Sequence, residues 1–269
     1  MSEGERVDPV IITGVPRSGV RLMAAILDAH PRLASGPDLP FLITMALQWR
    51  EIATTLGANH AKFHNLPPES VREAFRSTML ALFEPRLRRE RKGRFVMQSF
   101  AAMLSLDVLA ALFPAAHFVF MVRDPRAVAM SLQKCDWRNP ANGARLPYTV
   151  NPTAGARLWT ELMQAGLRSV PALERVGRLH IVRYEDLCTN PGATLKRLGD
   201  YLGEAAPAAG VTHASAACVV ASADNQHPPL RTGVIDVDAV DGWRGTMRGD
   251  TLREVTACTF PLASRFGYG

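Results

Sequence analysis

Short runs of apolar residues alternate along this chain with longer stretches of helical periodicity. The short runs are rich in Val, Ile and Phe, which is typical of strands buried on both faces. Four of them are residues 10–13 (VIIT), 94–97 (RFVM), 117–123 (HFVFMVR) and 179–187 (LHIVRYEDL). The pattern predicts four strands, the last of which runs into a loop.

Between these strands, apolar residues recur every three or four positions, as on one face of a helix. The predicted helices are 22–29, 39–56, 70–89, 104–113, 127–133, 154–169 and 190–203. Strands that alternate with helices predict an α/β fold with a central parallel sheet flanked by helices on both faces. Ligands of such sheets bind at the carboxyl ends of the strands.

The length and composition fit one domain with an affinity for anions. The 269 residues form a single predicted domain, 1–269, in which the small, Pro- and Gly-rich residues of about 205–233 predict a flexible loop region. The formal net charge is +6, which favours anionic ligands. The basic stretch 84–94 is interpreted as a solvated helix end, with a nucleic-acid patch as the alternative.

The cysteines and the N-terminal residues indicate the cellular compartment of the protein. Cys135, Cys188, Cys218 and Cys258 are far apart and lack metal-ligand spacing, which favours reduced thiols in the cytoplasm. The N-terminal residues lack the pattern of a signal peptide, and no apolar run approaches the roughly 20 residues of a membrane span. We therefore expect a cytoplasmic protein without a metal, nucleic-acid or membrane partner; homodimer formation is left open.

A glycine-containing turn, GVPRSG at 14–19, joins the first predicted strand to a helix. A strand, such a turn and a helix start form an anion site, because free N–H groups and the helix dipole point outward. Arg17 adds a bidentate fork suited to phosphate or sulfate oxygens. The GK[ST] ending of a Walker A motif is absent, which disfavours an ordinary ATP or GTP hydrolase. The alternative is a purely structural turn with an exposed arginine.

A second cation also follows a strand. In FVFMVRDPRAVAMSL, Arg123 ends the third predicted strand and Ser131 lies eight residues later, two helical turns on. Such a pair can hold a second phosphate.

These motifs together resemble the sulfotransferases that use 3′-phosphoadenosine 5′-phosphosulfate (PAPS), and above all the tyrosylprotein sulfotransferases and the bacterial enzymes similar to them. GVPRSG is similar to the family's 5′-phosphosulfate loop and MVRDPRAVAMS to its 3′-phosphate segment. RSGVRLMAAILDAHPRLASGPDLP, VRYEDLCTNPGATLKRLGDYLG and GVIDVDAVDGWRG match further family segments. The resemblance implies a three-layer fold like that of P-loop NTPases, with PAPS as donor and adenosine 3′,5′-bisphosphate (PAP) as product.

Carried over by position, the resemblance assigns roles to individual residues. The 5′-phosphosulfate would be bound by the loop and helix start, at Arg17, Ser18, Gly19, Val20 and Arg21. The 3′-phosphate would be bound by Arg123 and Ser131, and Tyr184, after the last predicted strand, would contact the nucleotide. Asp38 matches a general base, and its alternative role is the N-cap of the following helix.

Four positions depart from the family pattern. Val20 and Arg21 replace two threonines, Gln98 stands where a lysine often polarises the breaking bond, and Gly242 replaces a cation before Trp243. Loss of one such donor costs about 100- to 1000-fold in rate. Either Arg21 or Arg244 supplies the missing positive charge, or the protein is slow, altered in its reaction, or a non-catalytic binder.

The first functional hypothesis is therefore a sulfotransferase acting on a hydroxyl of a small molecule or a peptide tyrosine, with Asp38, Arg17, Arg21 and Gln98 as catalytic candidates. A catalytically altered or inactive nucleotide-binding homologue is the second hypothesis. An ATP-dependent P-loop kinase is the third and the weakest.

Overall fold

One parallel sheet forms the centre of the computed structural model, which describes residues 7–56, 62–63, 65–206 and 238–269. Its strands are β1 (Val10–Gly14), β2 (Leu33–Ser35), β3 (Arg94–Gln98), β4 (His117–Val122) and β5 (Leu179–Arg183). The spatial order is β2-β3-β1-β4-β5, and every neighbouring pair is parallel. The predicted α/β class is confirmed. The additional strand β2 has only three residues, too few to show a period in the sequence.

Helices connect these strands. They are α1 (Val20–Asp28), α2 (Pro40–Glu51), α3 (Pro68–Ala81), α4 (Glu84–Glu90), α5 (Leu106–Leu112), α6 (Pro125–Leu132), α7 (Pro152–Leu167), α8 (Val170–Arg175), α9 (Tyr184–Thr189), α10 (Pro191–Leu202), α11 (Asp238–Asp241) and α12 (Gly249–Thr259). A π-helical turn, Ile52–Leu56, extends α2, and 3₁₀ segments occupy Ala101–Leu104, Pro147–Thr149 and Ala263–Phe266.

Two predicted elements differ from the structure. The helix predicted at 70–89 is divided into α3 and α4, because Pro85 lies in the first turn of α4, where proline can start a helix but cannot continue one. The loop predicted after the last strand is the helix α9. From residue 207 onward, the predicted flexible region 205–233 lies outside the described residues.

Alternate side chains of the strands enter two separate hydrophobic layers, as the period of two in a strand requires. On one face, Ile12 and Val119 pack with apolar residues of α1 and α10. On the other, Ile11 and Phe120 pack with residues of α2, α3, α5 and α7. The result is the predicted three-layer arrangement, in which the loops at the carboxyl edge of the sheet are held by rigid elements on both sides.

Two further findings concern the described part of the chain. No helix there has the length and apolar character needed to cross a bilayer. No group of three or more His, Cys, Asp or Glu side chains there is arranged to hold a metal ion.

Candidate functional site

The turn from β1 into α1 lies at the carboxyl edge of the sheet, and two glycines give it its shape. A Cβ atom on Gly14 would lie 2.5 Å from the Met121 carbonyl oxygen. Gly19 has a φ of 96°, and a Cβ there would lie 2.6 Å from the Tyr184 ring. The turn therefore packs against the ends of β4 and β5 more closely than any other residue would allow.

The start of α1 presents unused hydrogen-bond donors. Gly19 is its N-cap and supplies no side-chain hydrogen bond, while the half-buried Val20 and Arg21 form its first turn. The first N–H groups of a helix have no intrahelical acceptor and carry the positive end of the dipole. The Ser18 hydroxyl is buried without a partner among the described residues. These groups together suit an anion with several oxygens.

Arg17 connects the turn to the second predicted phosphate segment. Its Nε donates to the Ser131 hydroxyl at 3.0 Å, and its carbonyl oxygen accepts from Nη1 of Arg123 at 2.8 Å. Its φ of 73° is left-handed, a conformation that costs a non-glycine residue about 1–3 kcal/mol and persists only where neighbours fix it. The structure thus brings Arg17, Arg123 and Ser131 together, although they are far apart in sequence.

Arg123 is a buried cation, with 7% of the residue exposed. Its guanidinium carbon lies 4.1 Å from the Tyr184 ring centroid, and Nη2 donates to the Ala239 carbonyl at 2.6 Å. Burial lowers the pKa of Arg123, although Tyr184 and Glu185 oppose the shift; an arginine stays protonated nonetheless.

Within the part of the chain that the structure describes, neither Arg17 nor Arg123 has a carboxylate within salt-bridge distance. Nε of Arg123 is also buried without an acceptor. A buried charge is costly unless it is paired. Two arginines at one turn, without a carboxylate partner among the described residues, therefore favour an anionic ligand at this site.

A carboxylate network supports the end of β4. Glu185 accepts from the Asp124 backbone N–H at 2.9 Å and from the Tyr268 hydroxyl at 2.6 Å. Asp124 caps α6 and binds the Arg126 guanidinium through both of its oxygens, at 2.8 and 2.9 Å. Sequence reasoning did not predict this supporting role of Glu185 and Tyr268. The Asp-Pro pair before α6 was the one local signal, since Asp before Pro is typical of a helix start.

The late tryptophan segment docks on the same edge. The Trp243 ring lies between the guanidinium groups of Arg126 and Arg244, at 4.3 and 4.6 Å from its centroid. Arg244 also pairs with Asp241 at 2.7 Å. Arg244 therefore contacts α11 and Trp243. The other arginine considered as a replacement for the missing charge, Arg21, lies in the first turn of α1, directly after the glycine-containing turn.

Asp38 and Gln98 lie where β2 and β3 end. The Gln98 side chain is buried and donates to the Gly36 carbonyl at 2.7 Å, which fixes the turn before Asp38. Asp38 is an exposed residue, yet partial desolvation of its carboxyl by the surrounding protein raises the pKa of Asp38. The N-cap of α2 is Leu39, without a side-chain hydrogen bond. The helix-cap alternative for Asp38 is therefore wrong.

We expect Gly19→Ala to weaken binding of PAP at least tenfold and to lower the melting temperature, because the new methyl group would displace the Tyr184 ring and strain a left-handed residue. Gly93→Ala is the matched control, since a Cβ there meets no atom within 4 Å. Calorimetry with PAP and thermal unfolding would measure both variants. Equal behaviour of the two would contradict the close packing of this turn.

The site and the sheet together define the class of protein. The chain belongs to the sulfotransferase family, whose model matches residues 9–207. Among individual proteins, it is similar to protein-tyrosine sulfotransferase A of Caenorhabditis elegans, with 26% identity over 98% of this chain and 68% of that protein. Protein-tyrosine sulfotransferase 1 of Danio rerio is 28% identical over 96% of this chain and 72% of its own length. Nodulation protein NoeE of Sinorhizobium fredii is 26% identical over 91% and 62%.

Solved structures show the same fold. The sulfotransferase domain of the Synechococcus olefin synthase superposes with a TM-score of 0.59 at 23% identity, covering 99% of this chain and 97% of that domain. A mouse sulfotransferase solved in complex with PAP gives a TM-score of 0.56 at 15% identity, covering 97% and 88%. The predicted family and fold are confirmed.

Proposed function

We propose that this protein transfers a sulfuryl group from PAPS to the hydroxyl of an acceptor molecule. The observation that carries the proposal is that the Arg123 guanidinium donates to the Arg17 carbonyl just before the uncapped start of α1, and that neither arginine has a carboxylate partner among the described residues. Family membership supports sulfuryl transfer over other reactions of anionic nucleotides.

The residues at this edge fit a donor with two phosphate groups. The α1 N–H groups, the Ser18 hydroxyl and Arg17 would hold the 5′-phosphosulfate, and Arg123 with Ser131 the 3′-phosphate. Tyr184, which lies against both Gly19 and Arg123, would contact the nucleotide. When bound, PAPS supplies an activated sulfuryl group. The role of the chain is to orient that group and to stabilise the charge that develops on the leaving phosphate.

Asp38 would take the proton of the acceptor hydroxyl. It is accessible, and the contact from Gln98 to Gly36 holds its turn at the end of β2. A raised pKa brings a carboxylate nearer to a phenol or alcohol in basicity, and a general base works best when its pKa approaches the operating pH. Arg21 would supply the positive charge that Gln98 lacks.

One observation favours a second candidate function, a nucleotide-binding protein without transferase activity. The Gln98 amide nitrogen already donates to Gly36, and glutamine carries no charge at the strand end where the resemblance implies a lysine. In this alternative the two phosphate sites bind PAP, and no sulfuryl group is transferred.

Calorimetry and turnover distinguish these functions. We expect the purified protein to bind PAP at least tenfold more tightly than ATP with magnesium, and to transfer labelled sulfuryl groups from PAPS to at least one of a panel of phenols and alcohols. PAP binding without transfer to any acceptor would favour the non-catalytic function. Tighter binding of ATP with magnesium than of PAP would contradict both.

A further inference from the structure

The peptide unit that joins Arg123 to Asp124 is held from both sides. The Arg123 carbonyl accepts from the indole Nε1 of Trp159 at 3.1 Å, and Trp159 is fully buried. The Asp124 N–H donates to Oε1 of Glu185 at 2.9 Å. These two hydrogen bonds fix the backbone at the end of β4, and with it the point from which the Arg123 side chain projects.

The carboxylate of Glu185 is itself fixed by a residue far along the chain. Its second oxygen, Oε2, accepts from the Tyr268 hydroxyl at 2.6 Å. Tyr268 is buried, and the guanidinium carbon of Arg183 lies 4.8 Å from its ring centroid. Burial and the neighbouring Glu185 carboxylate raise the pKa of Tyr268. The hydroxyl therefore keeps its proton and remains a hydrogen-bond donor at neutral pH.

Residues 268 and 269 connect α9 to α6. Tyr268 contacts Glu185 in the first turn of α9, and the Gly269 carbonyl accepts from Nη1 of Arg126, in the first turn of α6, at 3.0 Å. The helix α6 also carries Ser131, the second residue of the proposed 3′-phosphate site. Both helices next to Arg123 are thus tied to this short segment.

The position of the Arg123 guanidinium depends on this backbone. The guanidinium stacks on the Tyr184 ring, and its Nε is buried without an acceptor among the described residues. A binding group works well only when its neighbours hold it to within about 0.5 Å. Without the Tyr268 hydroxyl, the Glu185 carboxylate could turn away from the Asp124 N–H and release the end of β4.

We propose that Tyr268 and Glu185 are positioning residues of the nucleotide site, which hold Arg123, through the Asp124 N–H, where it can bind the 3′-phosphate of PAP or PAPS. This inference rests on the proposed function and adds to it a residue outside 9–207, the part that the family model matches. Glu185 acts through its hydrogen bonds and not through its charge, because a negative charge near Arg123 opposes a bound phosphate.

The test measures the ratio of PAP to 5′-AMP affinity by calorimetry. Tyr268→Phe removes only the hydroxyl and should lower this ratio about fivefold or more, since the contribution of Arg123, about 10- to 150-fold, depends on its position. Glu185→Ala should lower the ratio at least as far. Glu185→Gln keeps an oxygen for the Asp124 N–H and removes the charge, so its ratio should equal or exceed that of the wild type.

Tyr201→Phe is the matched control. The Tyr201 hydroxyl also contacts β4, where it accepts from the Phe118 N–H at 3.1 Å and donates to the Phe118 carbonyl at 3.2 Å. Phe118 lies near the amino end of the strand, away from the candidate site. Both tyrosine variants should lower the melting temperature, but Tyr201→Phe should keep the ratio within about twofold of wild type.

Two results would overturn the inference alone. One is a Tyr268→Phe variant with a lowered melting temperature and the wild-type ratio, which would make Tyr268 a purely structural residue. The other is a ratio that falls as far in Glu185→Gln as in Glu185→Ala, which would contradict a role through hydrogen bonds. In both cases PAP binding and sulfuryl transfer by the wild type would leave the proposed function in place. Equal affinity of the wild type for PAP and 5′-AMP would instead remove the 3′-phosphate site, and this inference with it.

Discussion

Asp38→Asn is expected to lower turnover about 100-fold or more, the usual cost of losing a general base. The amide keeps the size of the side chain but cannot accept the hydroxyl proton. Affinity for PAP should stay within about twofold of wild type, because the proposed phosphate-binding groups lie at the ends of β1 and β4. Since the N-cap of α2 is Leu39, the substitution removes no helix cap, and the melting temperature should not fall. Turnover assays, calorimetry and thermal unfolding would test these three expectations.

The pH dependence gives an independent readout of the same residue. Because burial raises the pKa of Asp38, kcat/KM of the wild type should fall with decreasing pH at a higher pH than an ordinary aspartate, near 3.9, would give. Asp38→Asn should lack this acid limb. When folding raises the pKa of a carboxyl, the free energy of unfolding of the protein decreases as the pH rises through that pKa. The variant should therefore be at least as stable as wild type at neutral pH.

Asp107→Asn is a suitable control for Asp38→Asn. Asp107 is also an exposed aspartate near the start of a helix, in the first turn of α5, outside the candidate site. Its substitution should leave turnover within about twofold of wild type. If Asp38→Asn behaved in the same way, the base would have to be sought elsewhere at this edge of the sheet.

Arg123→Ala is expected to abolish most of the preference for PAP over 5′-AMP. A hydrogen bond to a charged group contributes about 1.5–3 kcal/mol, which corresponds to about 10- to 150-fold in affinity. The ratio of the two affinities is the quantity to measure, because it cancels effects common to both nucleotides. Equal affinity of the wild-type protein for PAP and 5′-AMP would exclude Arg123 and Ser131 as the 3′-phosphate site.

Arg178→Ala controls for the structural part of this effect. Like Arg123, Arg178 stacks on an aromatic ring, that of Phe118, and donates to backbone carbonyls. It precedes β5 and so lies at the opposite edge of the sheet. Both variants should lower the melting temperature, but Arg178→Ala should keep the wild-type ratio of PAP to 5′-AMP affinity.

Much of the fold is legible in the sequence because it depends on local patterns. The apolar runs that became β1, β3, β4 and β5 are continuous and bounded by turn residues, and alternation with helices implies a parallel sheet. Errors occurred where the local signal was short or ambiguous. Three residues of β2 show no period, and Tyr184–Thr189 follows β5 without a break that would distinguish helix from loop.

The candidate site, like the fold, has some features that the sequence predicts and others that only the tertiary structure decides. The glycine turn, the cation after a strand and the eight-residue spacing from Arg123 to Ser131 are short-range features, so the sequence by itself predicted an anion site at the carboxyl edge of a sheet. Only the tertiary structure decided how these groups are used. Arg123 reaches Arg17 and Ala239, Gln98 holds Gly36, and Leu39 rather than Asp38 caps α2. Apart from the cap, these contacts join residues more than 60 positions apart. Packing of whole elements creates them, and local backbone preferences carry no information about which distant carbonyl a side chain will meet.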